Sequence, residues 1–163
     1  MQLNNVFTLI LYSIVKINMG IENTIAPWLG KTMKMIENHV HDLFYEHNIC
    51  LTKIQWVFLK KVQEKDGVAQ QELAFLTGRD KTSLTRLVNT MEKKALVARI
   101  PSKLDRRINN IHITKKGESL FKETLPLMEQ FVTSLQENIS EEEITQTISV
   151  IKKIQENLKT KTS

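Results

Sequence analysis

The feature that most constrains this chain is the period of its apolar residues, which is helical along most of its length and turns to alternation only between Leu96 and Thr114. Only 3 prolines and 5 glycines interrupt 163 residues, and no segment is low in complexity. The pattern predicts a mainly α protein with one small β element.

A first helix is expected from about Pro27 to His47, with the proline suited to a first turn and Trp28, Met35, Val40, Leu43 and Phe44 supplying apolar surface. Thr52 reads as the N-cap of a helix through Lys65, with Ile54, Val57, Phe58 and Val62 on one face, and Asp66-Gly67 ends it. Gln70 to Thr77 reads as a short helix with Leu73, Ala74 and Leu76 inward and Gly78 at its stop. Asp80 then caps a helix from Lys81 to about Lys94. Two helices joined by a short glycine-containing turn are a helix-turn-helix.

In the second helix of that pair, Leu84, Leu87, Val88 and Met91 recur at i, i+3, i+4 and i+7 and must face a core. Thr82, Ser83, Thr85, Arg86, Asn89, Thr90 and Lys93 are left outside, a face with hydroxyls, an amide and two bases but no acid. A solvated helix face usually mixes both signs of charge, whereas hydroxyls, Asn and Arg are the groups that read base edges and phosphates in a major groove.

Leu96 to Ile100 and Ile108 to Thr114 have strand character, and Pro101 to Arg107 forms the loop between them. A helix-turn-helix followed by a β-hairpin with a basic tip is a winged helix-turn-helix. The helical period then returns from Lys115 to about Asn138, with Pro126 expected to kink the helix. Ser140 to Glu143 is a capping box for a last helix whose stripe is Ile144, Ile148, Ile151, Ile154 and Leu158. That stripe and the first helix offer more apolar surface than so small a domain can cover, so the same elements of a second subunit are expected to meet them.

Charge points the same way. Between Arg79 and Lys116 there are 11 Lys or Arg against 3 Asp or Glu, a local +8 in a chain of net +5, so the remainder is slightly acidic. A basic middle suits a phosphate-binding module, although a merely solvated face would look similar on charge alone. No Gly-rich phosphate loop, nucleophile elbow or His-Glu metal motif supports an enzyme.

The first 18 residues stand apart. Val6 to Ile17 is a nearly continuous apolar run of 12 residues, short of the roughly 20 that span a bilayer, and no Lys or Arg precedes it as in a secretory signal. Three readings stay open for it: sequence upstream of a true start at Met19, an extra helix packing on a partner, or a signal anchor. Cytoplasmic location is expected, with no membrane partner. A single cysteine, Cys50, excludes an intramolecular disulfide and raises a redox-sensing alternative, against which stands an inert cysteine at a helix junction. His39 and His41 are two positions apart and fall on different helix faces, while His47 and His112 lie elsewhere, so no metal is expected.

Three segments carry a resemblance: "LTKIQWVFL" (Leu51 to Leu59), "QELAFLTGRDKTSLTRLVNTMEKKALVAR" (Gln71 to Arg99) and "DRRINNIHITKKG" (Asp105 to Gly117). Together they resemble the MarR family of bacterial transcription regulators, the last matching the family's wing pattern of Asp, any residue, Arg, five residues, an aliphatic, Thr, two residues and Gly. The resemblance follows element order from about Trp28 to Leu158. It implies a mainly α homodimer with a small wing, in which 51–114 is the winged helix-turn-helix, 19–50 and 115–163 form the dimerisation helices, and 1–18 is an apolar extension. It further implies a repressor on a pseudo-palindromic site in double-stranded DNA, released by a small aromatic or phenolic effector, and no cofactor. A winged helix used only for protein contacts is the contrary class.

By the same resemblance Thr82, Ser83, Thr85, Arg86 and Asn89 would enter the major groove, with Arg79 and Lys81 at the positive helix end where phosphate is favoured. Arg107 would reach the minor groove, with Lys103 and Arg106 on phosphates. Asp105, two positions earlier, is close enough to orient the Arg107 guanidinium through a charge-assisted pair, bidentate in its strongest form. Trp28, Phe44, Tyr45 and Trp56 are candidates to line the effector pocket, although aromatics at helical spacing are commonly plain core. Two positions depart from the family. Ala69 replaces a hydroxyl near the start of the first helix of the pair. Ala95 stands where glycine is usual, so that helix is expected to end in some other way.

Overall fold

The computed structural model describes residues 20–78 and 80–159, the side chains of 75 and 76 excepted. The apolar extension 1–18, Met19, Arg79 and the inward placing of Leu76 therefore lie outside the described residues. The chain forms two compact units, one ending at Phe58 and the other beginning at Leu59.

A single 3-10 turn, Ile21–Asn23, leads into α1 (Ile25–Glu46), which buries Val40 and Phe44. The helix stops because Asn48 turns left-handed (φ 55), letting the Ile49 amide reach Phe44 O at 2.7 Å and the Asn48 amide reach Tyr45 O at 3.1 Å. That is a Schellman stop built on asparagine, a residue for which this conformation costs little. The next helix, α2 (Lys53–Glu64), starts from a reciprocal cap: Thr52 Oγ1 accepts from Gln55 N (3.3 Å) while Gln55 Oε1 accepts from Thr52 N (3.2 Å). Trp56 and Phe58 are buried before the unit boundary, Leu59 and Val62 after it.

Asp66-Gly67 does more than end α2. Gly67 (φ 72) opens a two-residue strand, β1 (Val68–Ala69), and its amide donates to Ile111 O at 3.0 Å. A Cβ at Gly67 would meet the His112 ring at 2.8 Å. The Asp66 carboxylate accepts from Ile113 N (2.8 Å) and from His112 Nδ1 (3.0 Å). Partial burial works against its charge, but the Ile113 amide and the His112 ring together hold its pKa below the usual carboxylate range.

The helix-turn-helix is α3 (Gln70–Thr77) and α4 (Lys81–Lys93), followed by β2 (Val97–Pro101) and β3 (Asn109–Ile113). The sheet order is β1-β3-β2, all antiparallel, with Val68 opposite Ile111 and Val97 opposite Ile113. The expected hairpin is thus the larger part of a three-stranded sheet. Leu84, Leu87, Val88 and Met91 are all buried, as the period of α4 required.

The end of α4 corrects one expectation. Ala95 does adopt the left-handed conformation (φ 57), with the Ala95 amide on Glu92 O (2.7 Å) and the Leu96 amide on Met91 O (3.0 Å). The stop is a Schellman turn carried on an alanine, at a local cost of about 1 kcal/mol. It is held from outside: Thr114 Oγ1 donates to Ala95 O (2.7 Å), Thr114 N to Leu96 O (3.1 Å) and Lys116 Nζ to Lys94 O (3.0 Å).

Thr114 also caps α5 (Lys115–Ser134) by accepting from Gly117 N at 3.0 Å. Gly117 lies so close to the end of α4 that an added Cβ would sit 2.2 Å from Leu96 O. Pro126 lies inside α5, which ends at Ser134, short of the expected Asn138, because 135–138 leave the helix in turns that close with Asn138 left-handed (φ 61). The last helix, α6 (Glu141–Lys159), has the expected capping box, Ser140 N to Glu143 Oε2 at 2.8 Å and Glu143 N to Ser140 Oγ at 3.3 Å. No residue of α6 is buried within the chain, and Ile148, Val150 and Leu158 are exposed.

Candidate nucleic-acid interface

α4 presents its outer face because its inner one is packed. Thr82, Arg86 and Asn89 are exposed and Ser83, Thr85 and Thr90 half-buried. The start of the helix is fixed by Asp80, whose Oδ1 accepts from Ser83 N (2.9 Å) and Oδ2 from Ser83 Oγ (2.6 Å). The Ser83 hydroxyl and amide keep the Asp80 pKa below its ordinary value, so this cap is anionic at neutral pH. The hydroxyl proton of Ser83 is therefore committed to its own cap. Thr85 Oγ1 likewise donates to Lys81 O (2.8 Å), and Thr90 Oγ1 to Arg86 O (3.0 Å).

The second part of the face is the wing. Its loop closes through Ser102 N on Ile108 O (2.8 Å) and Ile108 N on Asp105 O (2.9 Å). Asp105 Oδ1 accepts from both the Arg107 amide (2.9 Å) and Arg107 Nε (3.3 Å). The two bonds converge on one carboxylate oxygen, so the pair is not the two-oxygen form. Nε makes this pair, on an Arg107 side chain that is 93% exposed. Lys103 and Arg106 are exposed on the same loop, and Leu104 at its tip is fully exposed.

Two of the cations expected to meet DNA come together although they belong to different elements. Lys81, at the start of α4, and Arg107, on the wing, line one cleft of about 340 Å³ with Gln70, Gln71 and Asn109. A phosphate lying across that cleft would find a helix end and two positive side chains.

The aromatic set divides. Phe44 and Trp56 are buried, whereas Trp28 and Tyr45 are 62% and 78% exposed. Cys50 is exposed. Among the described residues no helix is long and apolar enough to cross a membrane.

Sequence reasoning missed the residue that organises this face. Arg99, on β2, places its guanidinium against α4 and α3. Nη2 donates to Asn89 Oδ1 (2.7 Å), Nε donates to Gln70 Oε1 (3.0 Å), and Nη1 pairs with Glu92 Oε2. Gln70 Nε2 in turn donates to Thr85 Oγ1 at 3.2 Å. The signal was weak: a lone base on a strand, 29 residues from Gln70 in sequence.

Comparison with known proteins agrees with this fold. Residues 51–108 match the MarR family model. Among solved structures, the chain is similar to the Staphylococcus aureus MepR–DNA complex, at 21% identity and a TM-score of 0.76, over 85% of this chain and 99% of that one. A MarR protein from Peptoclostridium difficile is similar at 20% identity and a TM-score of 0.75, over 88% of this chain and 95% of that one. Bordetella bronchiseptica BpsR, described with the regulation of its DNA binding by 6-hydroxynicotinic acid, is similar at 18% identity and a TM-score of 0.72, over 83% and 96%. At these identities the structural likeness speaks for the fold.

Proposed function

We propose, from the match of residues 51–108 to the MarR family model, that the protein is a sequence-specific regulator of transcription that acts by binding double-stranded DNA and not by catalysis. The observation that carries the reading is the pairing of two outward features on one domain: an α4 face with Thr82, Arg86 and Asn89 exposed, and an Arg107 guanidinium aimed outward by Asp105. MepR, a relative in fold, is described in complex with DNA.

The protein works in the cytoplasm as a homodimer on a pseudo-palindromic operator, in the role of a repressor. Residues 51–114 read the DNA, while 19–50 and 115–163 join the two chains. What supports the dimer is apolar surface that one chain leaves uncovered: Ile25, Trp28, Met33 and Met35 on α1, and Ile148, Val150 and Leu158 on α6. A small aromatic or phenolic effector releases the operator, by analogy with the 6-hydroxynicotinic acid of BpsR. A pocket built on Trp28, Phe44, Tyr45 and Trp56 needs the second chain to close it, because Trp28 and Tyr45 are exposed in one chain alone.

The test is binding to the DNA that flanks the protein's own gene, followed by fluorescence anisotropy across a salt series. A regulator making several phosphate contacts should lose affinity by orders of magnitude between about 50 and 200 mM salt. Its footprint should cover an inverted repeat with half-sites roughly one helical turn apart. Salt-insensitive or absent binding would leave the winged helix as a protein-contact module.

A further inference from the structure

The ties that Arg99 makes to α4 have a consequence for what that helix can read. A guanidinium has donors only, so the atom of Asn89 that faces Arg99 Nη2 at 2.7 Å must be the amide oxygen. The amide nitrogen then points away from Arg99. Arg99 is itself held on every side. Its backbone amide donates to Glu92 Oε1 (3.0 Å), Nη1 pairs with Glu92 Oε2, Nε binds Gln70 Oε1 (3.0 Å), and Nη2 also reaches Thr85 O (3.4 Å). Arg99 and Glu92 are only 22% and 30% exposed in their side chains, so this is a supported cluster and its positive charge is locally balanced.

We propose that Arg99 is a specificity-determining positioning residue: by holding the Asn89 carbonyl it converts Asn89 into a donor-only reader. A free asparagine recognises adenine by donating to N7 and accepting from N6, which needs both ends of the amide. Oδ1 keeps a second lone pair, but turned toward the mostly covered Arg99 it is withdrawn from the outward edge of the amide. Asn89 therefore meets a base through its Nδ2 hydrogens, and these match base edges that carry acceptors alone: O6 and N7 of guanine, or O4 of thymine. Asn89 stands on the exposed face of α4, one turn beyond Thr85 and Arg86, where such an edge would be met. Arg99, although it lies in the most basic part of the chain, is not a phosphate contact.

This inference rests on the DNA-reading function proposed above, and one experiment separates the two. The full chain is used to select binding sites from a random duplex library, in parallel with Asn89→Ala, Arg99→Met and Arg99→Lys, each checked for folding by thermal melting. Wild type is expected to enrich guanine or thymine at one symmetry-related position. Asn89→Ala should flatten that preference by about fivefold or more while leaving neighbouring positions intact. Arg99→Met, or Arg99→Lys if the first does not fold, frees the amide to rotate and should move the same position toward adenine, a change that mere loosening of the fold would not produce. If wild type enriches no sequence, the DNA-reading function itself fails. If it enriches a site but prefers adenine where Asn89→Ala flattens it, or if Asn89→Ala alters no position, or if folded Arg99 variants keep the guanine or thymine, the donor-only assignment is overturned.

Discussion

Arg99 and Arg107 sit on the same hairpin in opposite surroundings. Arg99 spends its donors on α3 and α4 and is mostly covered, while Arg107 is 93% exposed and touches a single carboxylate oxygen. The first belongs to a braced block that includes α4; the second is a lightly guided arm. Bracing fixes which donors and acceptors α4 presents, and so bears on specificity. An exposed arm can adapt to a phosphate or a narrow groove, and so bears on affinity. A substitution in the braced block should show first in stability or base preference, and one in the arm should show first in affinity and salt dependence.

The largest effect is expected at the seam between the braced block and α5. Gly117→Ala would drive a Cβ to 2.2 Å from Leu96 O, a backbone atom that cannot swing aside as a side chain could. A loss of about 3 kcal/mol in chemical denaturation is expected, with α4 losing its outside support at Ala95. Little change in stability would mean that the end of α4 is not held by this contact.

On the arm, Arg107→Ala should leave the denaturation midpoint unchanged and weaken operator binding by about 1.5–2.5 kcal/mol, with the salt slope falling by about one per head. If the melting temperature falls along with affinity, the arm is part of the brace.

How much of this was legible in sequence follows the range of the interaction. The caps of α2, α4 and α6 could be read because Thr52, Asp80 and Ser140 bond within three positions of themselves. The core stripe of α4 could be read because a helix repeats it. β1 could not, since two residues carry no period, and Val68 becomes a strand only by meeting Ile111. Nor could the Arg99 cluster, whose partners lie 7, 10 and 29 positions away on two helices. At Ala95 local reasoning pointed away from the left-handed turn because it counted the cost to alanine but not the bonds from Thr114 and Lys116 that hold it there. At the wing, a two-position spacing was enough to pair Asp105 with Arg107, but not to say that both bonds share one oxygen.

Asp105→Ala sharpens the contrast at a smaller scale. Removing an acid beside DNA should by charge alone strengthen binding, whereas removing the guide of Arg107 should weaken it. A loss of about threefold to tenfold, near 1 kcal/mol, is expected in the same anisotropy assay, because a charge-assisted bond that pre-positions the arm is lost. Tighter binding by the variant would make Asp105 a repulsive bystander.

The smallest effect lies back in the braced block and has the opposite sign. Ala95 holds φ 57, where an L side chain is strained and glycine is not. Ala95→Gly should relieve that strain, partly offset by the greater freedom of glycine in the unfolded chain, for a net gain of at most about 0.5 kcal/mol in denaturation. Because the turn is already held by Thr114 Oγ1 on Ala95 O and Lys116 Nζ on Lys94 O, its shape should not change. Base preference should therefore stay as it is while stability rises. A gain in stability accompanied by altered base preference would show that the strained turn itself sets the pose of α4, and would move Ala95 from the scaffold into the reading machinery.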